Sequence, residues 1–282
     1  MAATVSTVRE IGDLNPEQLE NFEASVRGRV VRPEDSDYDA VRAIQNGMID
    51  RRPGRIVRCR GVDDVIKCVN FARENSLLLS VRGGGHNVAG NAMNDQGLVI
   101  DLSEMRGVQI DPRAQIAYVQ GGATWADFDG EAQVFGLATP GGVVSTTGVA
   151  GLTLHGGMGH LRSKYGLSLD NVRSVQIVTA DGSLKTASPD ENADLFWAVR
   201  GAGANFGVVT SFEFQLHPVG PEVMLCSPIY RAEDAPRVLR AWRDYIKGAP
   251  DEFTPMVVFW NVPEGFPEEI AGTPVVFVAG VY

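Results

Sequence analysis

SVRGGGHNVAG, Ser80 to Gly90, overlaps the end of an apolar run, Leu77 to Val81, that reads as a buried strand. Gly83, Gly84 and Gly85 follow in succession, so the backbone there can take positive φ and come within contact distance of a ligand. A loop of this kind turns successive N–H groups toward one point and forms an anion cradle. Arg82 adds a positive charge, His86 places an imidazole at the lip, and a phosphate-bearing cofactor is the natural guest. The same glycines would also serve a plain tight turn, with His86 merely solvated.

Outward from this loop the chain reads as β-α-β. Ile56 to Cys59 is a predicted strand, Val62 to Glu74 a helix with apolar positions at Val65, Ile66, Val69 and Phe71, and Leu77 to Val81 the next strand. An N-terminal helix is expected to start near Asn15 and Pro16, with Glu17 and Glu20 at its positive end. Leu98 to Leu102 and Ile116 to Gln120 are further strands, and Thr124 to Phe135 suits a helix entered through a threonine cap. Val175 to Thr179 reads as a strand that turns at Ala180-Asp181-Gly182. Gly207 to Leu216 alternates as a strand, and Pro218-Val219-Gly220-Pro221 reads as a turn at a domain boundary.

Gly201-Ala202-Gly203-Ala204-Asn205-Phe206-Gly207 invites a dinucleotide reading, which its context rejects. A Rossmann loop runs from strand into helix so that the helix N-terminus faces the pyrophosphate. Here DLFWAVR before it reads as helix and VVTSFEF after it as strand, and the glycine spacing misses GxGxxG by one residue.

Composition sets wider bounds. With 282 residues and 44% apolar content the chain can bury one or two ordinary cores. A net charge of −10 repels a phosphate backbone and argues against nucleic acid as a partner. The acidic excess reads as solvated surface. MAATVSTVREIGDL lacks the charged-then-apolar order of a secretory signal, and no apolar stretch reaches the roughly 20 residues that span a bilayer. No membrane association and a cytoplasmic location are the simplest expectations. Cys59, Cys68 and Cys226 show no metal-ligand spacing and are expected to be reduced, mostly buried thiols, with no metal site.

RGGGHNVAG resembles the flavin-attachment loop of the berberine bridge enzyme-like oxidases, within the vanillyl-alcohol oxidase-type FAD proteins. GLATPGGVVSTTGVAGLTLHGGMGHLRSKYGLSLDNV (Gly136 to Val172), VTADG (Val178 to Gly182) and DLFWAVRGAGANFGVVTSFEFQLHP (Asp194 to Pro218) follow in that family's order and spacing. The resemblance spans roughly residues 40 to 220. It implies an α+β fold: an N-terminal helical segment over 1–38, a two-subdomain PCMH-type FAD-binding domain over 39–219, and the beginning of an α+β substrate domain over 220–282. It also implies cofactor contacts from Val81, Arg82, Gly83, Gly84, Gly85, His86, Asn87, Gly90, Val144, Thr146, Thr147, Gly148, Gly151, Gly157, Gly159, Gly203 and Val208. Gly203 and Val208 would contact FAD through their backbone.

His86 matches the histidine that bonds to the flavin's 8α methyl carbon in this family. Near neutral pH an imidazole is largely unprotonated, so its free nitrogen can attack an electrophilic carbon without a strong base. Such a tether would raise the flavin potential and favour hydride removal. A second, cysteinyl link is common in the family, but Val144 stands at that position and cannot form a thioether. FAD bound through one histidyl link is the implied cofactor.

Other positions depart from the pattern. His155-Gly156-Gly157-Met158-Gly159 places an imidazole where the family has the first of three glycines, which either fits the edge of the flavin site or weakens binding. His160 and Ser163, where tryptophan and arginine are common, read as tolerated surface changes. Met224 to Tyr230, Pro236 to Ile246 and Phe253 to Trp260 resemble the first strand, helix and strand of the substrate domain. The chain then stops at Tyr282, short of the family's usual return segment and its catalytic tyrosine, so it is expected to be a fragment or a truncated product and no catalytic residue is assigned. Tyr165, Tyr230 and Trp260 are read as core aromatics.

The implied function is that of an FAD-linked oxidase. It would remove a hydride from an alcohol or amine carbon of a small molecule or sugar and pass electrons to dioxygen, giving hydrogen peroxide, with a base taking the substrate proton. Two alternatives stand beside it: a non-catalytic flavin-binding or interaction protein, and a non-covalent flavin reductase, against which His86 argues.

Overall fold

A computed structural model describes residues 8–220 and 222–282. Met1 to Thr7 of the N-terminal stretch, and Pro221 at the end of the expected boundary turn, lie outside the described residues. Among the described residues the first α-helix, α1 (Pro16–Ser25), begins as its sequence predicts: Asn15 Oδ1 accepts a hydrogen bond from the Glu17 N–H at 2.9 Å, and Pro16 occupies the first turn. Then come β1 (Arg29–Val31), α2 (Tyr38–Arg42), β2 (Arg55–Arg58), α3 (Val62–Glu74), β3 (Leu79–Arg82) and β4 (Leu98–Asp101).

These strands form one sheet in the order β1-β2-β4-β3. β1 is antiparallel to β2, whereas β2, β4 and β3 run parallel, so a crossover must join β2 to β3 and α3 supplies it. α3 buries Val65, Cys68, Val69 and Phe71 beneath the sheet, and Phe71 stacks on Phe22 of α1 with ring centroids 3.9 Å apart. The predicted run Leu77 to Val81 needs correction: the strand starts at Leu79, lies at the sheet edge and is half-buried, with Leu78 exposed. The fully buried strand is β4, which has neighbours on both sides. Buried Glu23 fastens α1 to this unit through Arg55 at 2.6 Å and through Arg32.

A second unit follows with β5 (Val108–Asp111), β6 (Ile116–Gln120), α4 (Trp125–Ala132), β7 (Leu137–Ala138), α5 (Val149–Thr153) and α6 (Arg162–Tyr165). It continues with β8 (Val172–Val178), β9 (Leu184–Ala187), α7 (Ala193–Ala202), β10 (Val208–Gln215) and β11 (His217–Pro218). Five strands make an antiparallel sheet ordered β5-β6-β10-β8-β9. Trp125 and Phe128 of α4 meet Phe212 and Phe214 of β10 in its core, Phe128 lying edge-on to Phe214 at 5.7 Å. The hairpin turns at Gly182, as predicted, with φ +80. α7 precedes β10, as predicted for the false dinucleotide loop, and kinks at Arg200 and Gly201. The helix expected over Thr124 to Phe135 stops at Ala132 and ends in a single 3₁₀ turn, Gln133–Phe135, closed by left-handed Gly136.

The last residues build a smaller sheet in which β15 (Pro274–Val281) pairs with β14 (Thr254–Asn261) on one side and with β12 (Leu225–Cys226) and β13 (Ile229–Arg231) on the other. α8 (Ala235–Tyr245) covers it through Val238. The strand expected over Met224 to Tyr230 is therefore two short pieces, separated around Pro228, which has no N–H to give to a ladder. Tyr230 and Trp260 are not core residues: both are over a third exposed. Cys59 and Cys68 are buried free thiols, whereas Cys226 is exposed. Among the described residues, no helix is long and apolar enough to cross a membrane.

The first two units meet through Val178 and Val208, which enter the first unit's core, and through a glycine contact. A Cβ added to Gly84, after β3, would lie 2.6 Å from the Gly148 Cα, and one added to Gly148 would lie 2.9 Å from the Gly84 Cα. Gly84→Ala is expected to push the two loops apart, to cost about 2–3 kcal/mol in chemical denaturation, and to lower flavin content in the purified protein. Burial alone would raise the Glu23 carboxyl pKa, but the bonds from Arg55 and Arg32 outweigh it and hold the pKa below its ordinary value. Its contribution is thus present above pH ~4.5 and fades as pH falls through the lowered folded-state value. Glu23→Gln is expected to cost roughly 3 kcal/mol in urea denaturation at pH 7, and the difference from the parent is expected to shrink in acid.

Candidate cofactor site

The site begins where β3 ends. Arg82 donates to the Val41 carbonyl at the end of α2, curling beside Gly85, so its charge anchors the loop to its neighbour rather than standing free in the cradle. Gly85 has φ +70, and its carbonyl accepts from the Gln45 N–H at 3.1 Å. Among the described residues, the backbone N–H groups from Gly83 to Val88 have no protein acceptor. Six successive donors in a segment without a carboxylate suit a phosphate-bearing group. Asn87 shapes the far end: its side chain accepts from Asn91 N–H at 3.0 Å and its carbonyl from Gly90 N–H at 3.0 Å. Gly90, φ +76, packs on Ile49.

Facing this loop is the segment Val144 to Gly148, held by the start of α4. Trp125 N–H donates to the Thr147 carbonyl at 3.0 Å and Ala126 N–H to that of Ser145 at 2.8 Å, while Thr124 caps the helix and shares a capping box with Asp127. The first amides of α4, which lack intrahelical partners, thereby pin a loop from elsewhere in the chain. Arg106 and the Thr124 hydroxyl, outweighing burial, hold the Asp127 carboxyl below its ordinary pKa, so it stays an anion that can accept these bonds. His86 bridges the two loops, with Nε2 2.9 Å from Thr146 Oγ1 and Nδ1 3.5 Å from Thr147 Oγ1.

The remaining predicted positions divide in two. Gly157 and Gly159 are buried against Ser168 and Gly141, whose neighbourhood rests on Trp125, so they serve the packing of the facing loop. Val81 is half-buried on β3, Val208 keeps its side chain in the core and offers only backbone, Gly151 is open on α5, and Val144 is exposed beside Thr146. Gly203 has a specific neighbour: a Cβ there would fall 2.5 Å from His155 Cε1. His155 Nδ1 is bonded to the Gly151 carbonyl at 2.8 Å, so the imidazole is seated in the space that Gly203 leaves. His160 is half-buried, and desolvation, aided by Arg162, lowers its pKa, so it is not the surface change expected of it. Ser163 is exposed and binds Thr254 through its N–H at 3.3 Å. Tyr165 stacks on His217 at 3.9 Å.

Sequence reasoning missed the contributions of Gly121-Gly122 and of the Val41 to Asn46 segment. A Cβ on Gly83 would lie 3.4 Å from the Gly121 carbonyl, and Asn46 donates to the Val88 carbonyl at 2.8 Å. The glycine pair between a strand and a threonine cap was a usable signal. Val41 to Asn46 carries no comparable pattern.

Comparison with known proteins identifies an FAD-binding fold. Residues 53–188 match the FAD binding domain family. The (R)-6-hydroxynicotine oxidase of Paenarthrobacter nicotinovorans is 46% identical over 201 residues, 71% of this chain and 44% of its own length. The crystal structure of 6-hydroxy-D-nicotine oxidase from Arthrobacter nicotinovorans superposes with a TM-score of 0.83 at 39% identity, over 92% of this chain and 56% of that one. Berberine bridge enzyme-like 1 of Physcomitrella patens gives 0.82 at 26% identity, over 94% and 56%. The chain thus spans about half the length of these relatives. It carries an FAD binding domain over residues 53–188 and shares its fold with FAD-linked oxidoreductases of berberine bridge enzyme-like architecture.

Proposed function

We propose that this chain forms the FAD-holding part of a flavin-dependent oxidase, with the cofactor fastened covalently through His86. The observation that carries this reading is the imidazole bridging two abutting loops at the mouth of a cradle of unpartnered N–H groups. The residues suit the group: unpartnered N–H donors suit phosphate, and glycines at 84 and 148 let the loops close without side chains between them. Bound FAD would supply the redox chemistry, accepting a hydride from an alcohol or amine carbon of a small molecule and giving electrons to dioxygen as hydrogen peroxide. Residues 39–219 would hold the cofactor, with 1–38 a helical lead-in and the sheet within 220–282 contributing to the substrate side.

What this chain's own residues do follows from their placement. The cradle amides bind and orient the phosphates, Arg82 holds the loop in register from behind, and the α4 amides keep the facing loop rigid. An amine substrate is the nearer comparison, because the 6-hydroxynicotine oxidase is the relative of 46% identity. Protein precipitated with acid is expected to keep flavin fluorescence in the washed pellet and on a denaturing gel, and His86→Ala to release it. Colour in the parent's supernatant would instead indicate a non-covalent flavoprotein. A panel of amines and alcohols is expected to bleach the bound flavin without oxygen and to yield peroxide with it. Bleaching without peroxide would make the protein a dehydrogenase, and no bleaching by any substrate would favour a binding role.

A further inference from the structure

We propose that Thr146 is the positioning residue for attachment at His86, an inference that rests on the covalent reading above. Thr146 stands on a segment whose neighbours are fixed on both sides: the Ser145 and Thr147 carbonyls accept from the first amides of α4, and Gly148 is wedged against Gly84. Its hydroxyl is therefore presented from a rigid base. His86 follows a positive-φ glycine and has an exposed side of the loop to turn into, so its ring orientation depends on what it meets across the gap.

The two threonine contacts are unequal. At 2.9 Å the Nε2 to Thr146 Oγ1 bond has ordinary length, whereas 3.5 Å from Nδ1 to Thr147 Oγ1 is at the outer limit of a hydrogen bond. A neutral imidazole that donates Nε2–H to Thr146 keeps its lone pair on Nδ1. Nδ1 is then the nitrogen that reacts. As it forms its new bond, positive charge develops on the ring and strengthens the Nε2–H to Thr146 bond, which becomes charge-assisted.

The bond formed joins Nδ1 to the 8α methyl carbon, and one methyl C–H bond is broken with loss of its proton. The imidazole yields its Nε2 proton by way of Thr146 to water, and the electron pair is left in the flavin ring. Dioxygen, the co-oxidant, removes that pair and with the two protons forms hydrogen peroxide.

The test follows covalent incorporation over time after FAD is added to chain produced under riboflavin limitation, read as fluorescence on a denaturing gel and as FAD-modified His86 peptide by mass spectrometry. Bound but unattached FAD is measured in parallel. Thr146→Val is expected to retain FAD yet attach it roughly tenfold more slowly or worse, and Thr146→Ser to restore the parental rate. A merely structural threonine would not show rescue by serine together with retained FAD. Attachment by Thr146→Val at the parental rate, or linkage found at Nε2, would overturn the proposal. If Thr146→Val loses FAD altogether, Thr146→Ser against Thr146→Ala at saturating FAD gives the same decision. A parent chain that releases all its flavin in acid fails the covalent reading itself, a result distinguishable because Thr146 variants would then behave as the parent does.

Discussion

Everything at the cofactor site depends on two backbones that touch with nothing between them. Gly84, in the loop after β3, and Gly148, just before α5, are far apart in sequence, yet neither can carry a Cβ without meeting the other's backbone. That contact sets the width of the gap across which His86 reaches Thr146. One extra methyl group at either place would force the two loops apart. The run of unpartnered amides and the imidazole bridge thus both hang from one steric fact.

Rigidity on the far side comes from a helix end put to use twice. α4 satisfies one orphan amide through its own Thr124 cap and two more through the Ser145 and Thr147 carbonyls. Trp125 at the same helix start is fully buried, packs among Phe128 and Phe214, and also supports Gly141 and Gly142 in the approach to the facing loop. The hydrophobic core of the second unit is therefore coupled directly to the geometry of the loop that faces His86. On the near side, Arg82 holds to the Val41 carbonyl, and the Gln45 N–H and the Asn46 side chain hold the Gly85 and Val88 carbonyls of the cradle loop.

The parts of this arrangement legible in the sequence are those with a local signature. α3 was readable to the residue because its apolar positions follow a helical period and Asn75 ends it, and Thr124 announced α4 by its cap. The glycines of the cradle were readable because a run of three has few other uses. β5 and β9 were not singled out, since they are short and half exposed and gain their order from longer neighbours. The burial of β3 was misjudged because an apolar run does not say whether a strand has one neighbour or two. Strand order is a long-range property, as is the meeting of Gly84 with Gly148. Tyr230 and Trp260 were read as core from residue type alone, whereas β13 and β14 present them on surface. The resemblance brought His86 and Gly148 into one site but was silent on which side chain holds the imidazole.

Position 203 is closed to side chains twice over. The imidazole of His155, tied by Nδ1 to the Gly151 carbonyl, fills the volume that a side chain at 203 would need, and Gly203 itself holds φ +63, a conformation that side chains rarely adopt. Removing the imidazole would therefore empty the space without making the backbone at 203 more tolerant, so glycine is demanded there whether or not histidine stands at 155.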